Sequence, residues 1–133
     1  MFERISILGA GSWGMAVSQI LADNGANVTL WEFDIKTYEN LVATRRQEDK
    51  LPGFKLPDNV GVTNSLDDAL DNSSLIVLAV PAQFLRFALI KAADKFSENA
   101  VIVNLAKGIE NKTLKRMSEV VSDVLGQKKA EIA

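Results

Sequence analysis

The sequence predicts a doubly wound α/β fold: a parallel sheet covered by helices on both faces. Two observations carry this. Short, almost wholly apolar runs alternate with segments of helical composition along the chain, and strands without polar alternation are strands buried on both faces. The first apolar run is also followed by a glycine-rich turn that opens into a helical segment, so a right-handed crossover to the next parallel strand is expected.

The elements follow in order. Residues 5–8 (ISIL) form an apolar run ending at Gly9, the form of a buried strand. In the helix after it, Met15, Val17, Ile20 and Leu21 have partly helical spacing, and Asn24-Gly25 supplies the stop. Residues 28–31 (VTLW) read as strand two and residues 35–46 as the second helix. Residues 60–63 are a short strand, and Ser65-Leu66-Asp67-Asp68 resembles the capped start of a short helix. Residues 75–80 (LIVLAV) are the most strand-like run, stopped by Pro81. A helix over residues 83–96 leads to a strand at 101–105, and residues 113–125 form a last amphipathic helix. The one long irregular segment, residues 47–59, holds two of the three prolines and reads as a surface loop. Residues 126–129 look like a turn and residues 130–133 like a strand beginning. Residues 1–133 are therefore expected to be one domain, the N-terminal part of a longer protein.

Composition narrows the chemistry. With 133 residues, 47% hydrophobic and 24% charged, the chain is an ordinary globular domain. A net charge of -2 and a pI near 5.2 argue against nucleic acid as partner. There is no cysteine and no histidine, so no metal site is expected, and proton transfer near neutral pH falls to carboxylates or a lysine. No basic segment precedes an apolar signal core, and no apolar stretch approaches the ~18 residues of a membrane helix. A cytoplasmic location without membrane insertion is the expectation.

The residues of interest collect at strand ends, where open α/β sheets bind their ligands. Gly9-x-Gly11-x-x-Gly14 lies between a strand and a helix. In that context the glycines permit a tight turn, backbone approach to a pyrophosphate and close helix packing, while free N–H groups meet the phosphate charge. Ser12 can add a hydroxyl donor. Trp13 is left open by its own chemistry, between packing on the helix and contact with a ligand. Glu32 ends strand two, eighteen residues beyond Gly14, close to the position of a carboxylate that grips a ribose 2′-hydroxyl. Such a carboxylate would repel a 2′-phosphate, so NAD is preferred and NADP is the second candidate; Lys36 and Arg45 are the nearby cations that could reach in. Phe33 offers adenine an apolar face or covers the core. Pro81 and Phe84 follow the fourth strand and Lys107-Gly108 the fifth, which puts Lys107 at the nicotinamide half of such a cleft.

The segments GAGSWG, VTLWEFD, LPGFKLPDNV, LAVPAQFLR and NLAKGIE, in this order from about Ile5 to Leu125, resemble the N-terminal domain of the NAD(P)-dependent glycerol-3-phosphate dehydrogenases. The resemblance implies a Rossmann-type domain of an oxidoreductase that interconverts dihydroxyacetone phosphate and sn-glycerol 3-phosphate, supplying phospholipid synthesis. It implies that Gly9, Gly11, Ser12, Trp13 and Gly14 line the cofactor pyrophosphate, that Phe33 and Phe84 flank the dinucleotide, and that Lys107 reaches both nicotinamide and substrate. The proton-transferring lysine, the rest of the substrate pocket and a homodimer contact belong to a helical C-terminal domain; no catalytic residue is then expected within this chain, which alone should bind dinucleotide without turnover. Glu32-Phe33 departs from the basic or histidine side chain common in bacterial members, which favours NAD. Two other readings are a 3-hydroxyacyl-coenzyme A or 6-phosphogluconate type of dehydrogenase, which the AKGIE segment opposes, and a non-enzymatic NAD-sensing module.

Overall fold

The computed structural model describes residues 3–126; the turn and strand expected over residues 127–133 lie outside them. Five strands, β1 (Arg4–Leu8), β2 (Asn27–Trp31), β3 (Gly61–Thr63), β4 (Leu75–Leu78) and β5 (Val101–Asn104), pair in parallel in the order β3-β2-β1-β4-β5. The helices are α1 (Ser12–Asp23), α2 (Ile35–Thr44), α3 (Leu66–Leu70), α4 (Leu85–Ala92) and α5 (Met117–Leu125). Among the described residues no helix is long and apolar enough to cross a membrane.

The period-2 geometry of the strands sorts the apolar residues into two cores. Ile5, Ile7, Val28, Leu30, Leu75 and Val77 face α1, α2 and residues 51–60, where Met15, Ala22, Leu41 and Leu56 close one layer. Leu8, Trp31, Ile76, Leu78 and Ile102 face the other way, onto α3, α4 and α5. Each fully buried aliphatic chain stabilises by about 1.5–3 kcal/mol. Ser6 is the polar exception in the central strand, and it is buried completely. Its hydroxyl is paired with the Ala69 carbonyl and the Ser73 hydroxyl, which pins the end of α3 to β1.

The sheet also sets the level of the site. Leu8, Trp31 and Leu78 are register partners, and Leu78 pairs with Asn104. The ladder runs one bond further, with Gly9 N–H to the Trp31 carbonyl (2.9 Å), Ala79 N–H to Leu8 (2.8 Å) and Leu105 N–H to Leu78 (2.8 Å). Four strands therefore release their chains at one edge.

Four expectations need correction. The fourth strand stops at Leu78 instead of Val80 because the chain bends toward Pro81. The helix expected over 83–96 is a composite: Pro81 starts a 3₁₀ turn over Ala82–Phe84, with Phe84 N–H on the Pro81 carbonyl, and a second 3₁₀ turn (Ala93–Lys95) ends it. The last helix starts at Met117, four residues later than expected, because Lys112 and Leu114 adopt φ of 70° and 58° in a loop closed by an Ile109–Arg116 bridge. Residues 47–59 do more than cover the surface: Leu56 and Gln47 are buried, and Gln47 donates to the Ala10 carbonyl under the glycine turn.

Candidate functional site

A cleft of about 660 Å³ opens along the carboxyl edge of β1, β2, β4 and β5. β1 is central, with β2 on one side and β4 on the other. The chain thus winds in opposite directions from this point, where doubly wound sheets form their ligand crevice.

The three glycines of the first turn have three different physical reasons. Gly9 has φ of 116°, and a Cβ there would sit 2.6 Å from the Ala79 carbonyl oxygen. A Cβ on Gly14 would come within 1.8 Å of the Gly9 carbonyl oxygen, so Gly14 lets α1 descend onto the turn. Gly11 has ordinary φ (-78°) and nothing within 4 Å of a Cβ position. Only at Gly11 does the missing side chain leave room for something absent from the fold. Gly11 also caps α1 without a side chain, whereas α2 and α3 are capped by Asp34 and Ser65. The first N–H groups of α1, together with its dipole, stay available to an anion.

At the end of β2, Glu32 Oε2 accepts the Asp34 N–H at 2.8 Å. Its other oxygen accepts no hydrogen bond among the described residues. Asp34 accepts from both the N–H (2.9 Å) and hydroxyl (2.8 Å) of Thr37. These bonds, the backbone one first, hold its carboxyl below the usual range. Phe33 is half exposed and joins Phe84 (5.2 Å between centroids), Phe87 (5.5 Å) and Trp31 (6.2 Å). Phe33 and Phe84 line the cleft. The ring cluster gives it an apolar floor, one face of which stays open.

Trp13 is 63% exposed, so the structure decides against core packing. It stands on the cleft wall with the Lys107 ammonium 5.7 Å from its ring centre, within cation–π range. Lys107 is exposed and has no carboxylate partner among the described residues. Gly108, with φ of 130°, turns the chain there. The following segment is tied to α4: Arg86 meets Glu110 through two bonds of 2.9 Å and Asp123 at 3.0 Å. The Arg86 guanidinium, then the Thr113 hydroxyl, hold the Glu110 carboxyl below its ordinary value. A carboxyl depressed in the folded state contributes stability above its unfolded pKa of about 4.3 and loses it as pH falls through the folded value. Between about pH 5 and 3 the melting temperature of Arg86→Met should therefore fall less steeply than that of the parent, as calorimetry would show; parallel slopes would contradict the assignment.

The cleft brings together Gly9, Gly11, Ser12, Trp13, Glu32, Phe33, Pro81, Phe84 and Lys107. Gly14 does not line it; it lies buried beneath the turn. The Ser12 hydroxyl, expected as a ligand donor, instead donates to the Lys50 carbonyl at 2.6 Å. Arg45 is committed to the Pro57 and Val60 carbonyls, and Lys36 is not on the cleft wall. Besides Lys107, the cleft is lined by a second cation, Lys50, which has no signal in the sequence. It lies in an irregular segment without periodicity, and only the fold returns that segment to the glycine turn. Among the described residues no three metal-binding side chains cluster.

A 3-2-1-4-5 parallel sheet, with a glycine turn at the switch point leading into an uncapped helix, defines the Rossmann class of nucleotide-binding domains. A family profile described as NAD-dependent glycerol-3-phosphate dehydrogenase N-terminus matches residues 4–133. The chain belongs to that family. A relative from Fusobacterium nucleatum named glycerol-3-phosphate dehydrogenase (NAD(P)+) is 40% identical over 130 residues, covering 98% of this chain and 39% of its own length. One of the same name from Agathobacter rectalis is 43% identical over 119 residues, covering 90% and 35%. The crystal structure of glycerol-3-phosphate dehydrogenase from Coxiella burnetii superposes with a TM-score of 0.86 at 27% identity, over 94% of this chain and 38% of that one. The chain therefore spans about two fifths of the length of these relatives.

Proposed function

We propose that this chain is the dinucleotide-binding domain of an NAD(P)-dependent glycerol-3-phosphate dehydrogenase, working with a helical C-terminal substrate domain in a cytoplasmic homodimer that supplies glycerol phosphate for phospholipids. The observation that carries the reading is the open space at Gly11, on the uncapped start of α1, between the Glu32 and Lys107 ends of one cleft. The residues fit a dinucleotide. Amides of the Gly11–Gly14 turn meet the pyrophosphate, Glu32 offers its free oxygen to a ribose hydroxyl, and Phe33 and Phe84 give an aromatic base its apolar face. Trp13 and Pro81 wall the path between the two halves. Lys107 points its ammonium toward the substrate end, where it binds the oxygens of dihydroxyacetone phosphate and orients the carbonyl.

When bound, the reduced cofactor would supply a hydride to the substrate carbonyl carbon, whose oxygen would take up one proton. This chain binds, orients and excludes water; the proton donor is a lysine of the C-terminal domain. NAD is the preferred cofactor because Glu32 opposes a 2′-phosphate, while Lys50 on the facing loop softens that opposition and leaves NADP usable. Separate titrations with NADH and NADPH, followed by tryptophan emission, should show tighter NADH binding, with Glu32→Ala losing about tenfold for NADH. Tighter NADPH binding by the parent, or no change in the variant, would refute the role given to Glu32.

A further inference from the structure

The fold accounts for Lys107 by its place at a strand end, but not for what fixes the lysine there. Upstream, Asn104 closes the turn with its own amide: Oδ1 accepts the Ala106 N–H at 3.0 Å and Nδ2 donates to the Ala106 carbonyl at 3.2 Å. Downstream, Gln83 grips the chain in the same two-way manner. Its Nε2 donates to the Ile109 carbonyl at 3.0 Å and its Oε1 accepts the Asn111 N–H at 2.9 Å. Between the two clamps lie only Lys107 and Gly108, and the glycine sits at φ of 130°.

We propose that Gln83 is a positioning residue for Lys107, setting where its ammonium stands in the cleft. The inference rests on the role given above to Lys107. A free Lys-Gly pair samples many backbone states, whereas two fixed ends leave it few. The 3₁₀ turn at Ala82–Phe84 makes the coupling direct, since Phe84 lines the cleft floor while its neighbour Gln83 holds the loop above. Ligand floor and lysine loop are thus set by one turn. The chemistry also selects the residue type. Only a planar amide of glutamine length donates and accepts here at once; glutamate cannot donate, and alanine does neither.

The test uses the complete protein labelled with 5-fluorotryptophan, in which Trp13→Phe and Trp31→Phe assign the fluorine signals of the two tryptophans of this chain. Because Lys107 lies over the Trp13 ring, Lys107→Ala should move the Trp13 signal and leave the buried Trp31 signal in place. Gln83→Ala should move the Trp13 signal in the same way, again without touching Trp31. With NADH and dihydroxyacetone phosphate, Gln83→Ala should lower kcat about tenfold while KM for NADH changes by less than about twofold. In a Lys107→Ala background it should cause no further loss. A Trp13 signal unmoved by Gln83→Ala, or an equal loss of kcat with and without Lys107, overturns the proposal. A parent protein that fails to reduce dihydroxyacetone phosphate would sink the functional reading instead, and the fluorine signals would still decide the clamp.

Discussion

Lys107→Ala in the complete protein is expected to lower kcat for dihydroxyacetone phosphate reduction by about 100-fold or more, with the melting temperature close to that of the parent. The size follows from what one well-placed donor contributes in a water-excluded site, about 2.7–4 kcal/mol of transition-state stabilisation. Stability is spared because the side chain is exposed and holds no carboxylate partner among the described residues. Its one described contact, the ring of Trp13 at 5.7 Å, contributes about 0.5–1 kcal/mol at such an exposed site. NADH binding should weaken only modestly, since the contacts proposed above for pyrophosphate and adenosine lie at Gly11, Glu32 and Phe33. Steady-state kinetics beside a thermal melt separates the outcomes; near-normal turnover would return Lys107 to the role of an ordinary surface lysine.

The second large effect concerns the fold. Gly14→Ala places a methyl 1.8 Å from the Gly9 carbonyl oxygen, a backbone atom that no rotamer change can move aside. Helix propensity alone would favour alanine by about 1 kcal/mol. The clash wins, because separating α1 from the turn gives up packing at a cost of about 3 kcal/mol or more. Gly11→Ala, three residues earlier, meets nothing in the free protein. It should cost less than about 1 kcal/mol, the ordinary loss at a helix N-cap, yet weaken NADH binding at least tenfold by filling the space a phosphate would take. Thermal melts and NADH titrations on both variants check the pair. A stable Gly14→Ala would mean that α1 can shift on the strand, and unchanged binding by Gly11→Ala would place the ligand elsewhere.

The parts legible in the sequence were those with local causes. The apolar runs at 5–8, 28–31 and 75–80 mark strands because burial on both faces demands it, the last ending two residues early at Leu78, and Gly9 and Gly14 are readable because spacing alone implies a tight turn into a helix. The chemistry of Trp13 alone does not decide its place, since an aromatic in the first turn of a helix suits either core or cleft; the family resemblance puts it at the cofactor. The start of α5 was missed for a long-range reason. Residues 113–116 have helical composition, but Gln83 of the 3₁₀ turn and the Arg86–Glu110 pair on α4 hold residues 109–111, and the loop that follows takes Leu114 to positive φ. The partner of the Ser12 hydroxyl is illegible for the same kind of reason: it is the Lys50 carbonyl, thirty-eight residues away.

The sequence by itself determined the alternation of strands and helices, the place of the glycine turn, and the acidic and basic ends of the cleft, because periodicity and backbone sterics act within a few residues. Tertiary structure alone decided which of those groups are free to act. It spent the Ser12 hydroxyl and Arg45 on the packing of one loop and brought Lys50 to the wall. It left Gly11 open while closing Gly9 and Gly14, and it stretched Lys107 between two amide clamps. The physical reason is that contacts such as Ser12 with Lys50 and Gln83 with Ile109, 38 and 26 positions apart, form only when the parallel sheet has brought its strand ends to one level.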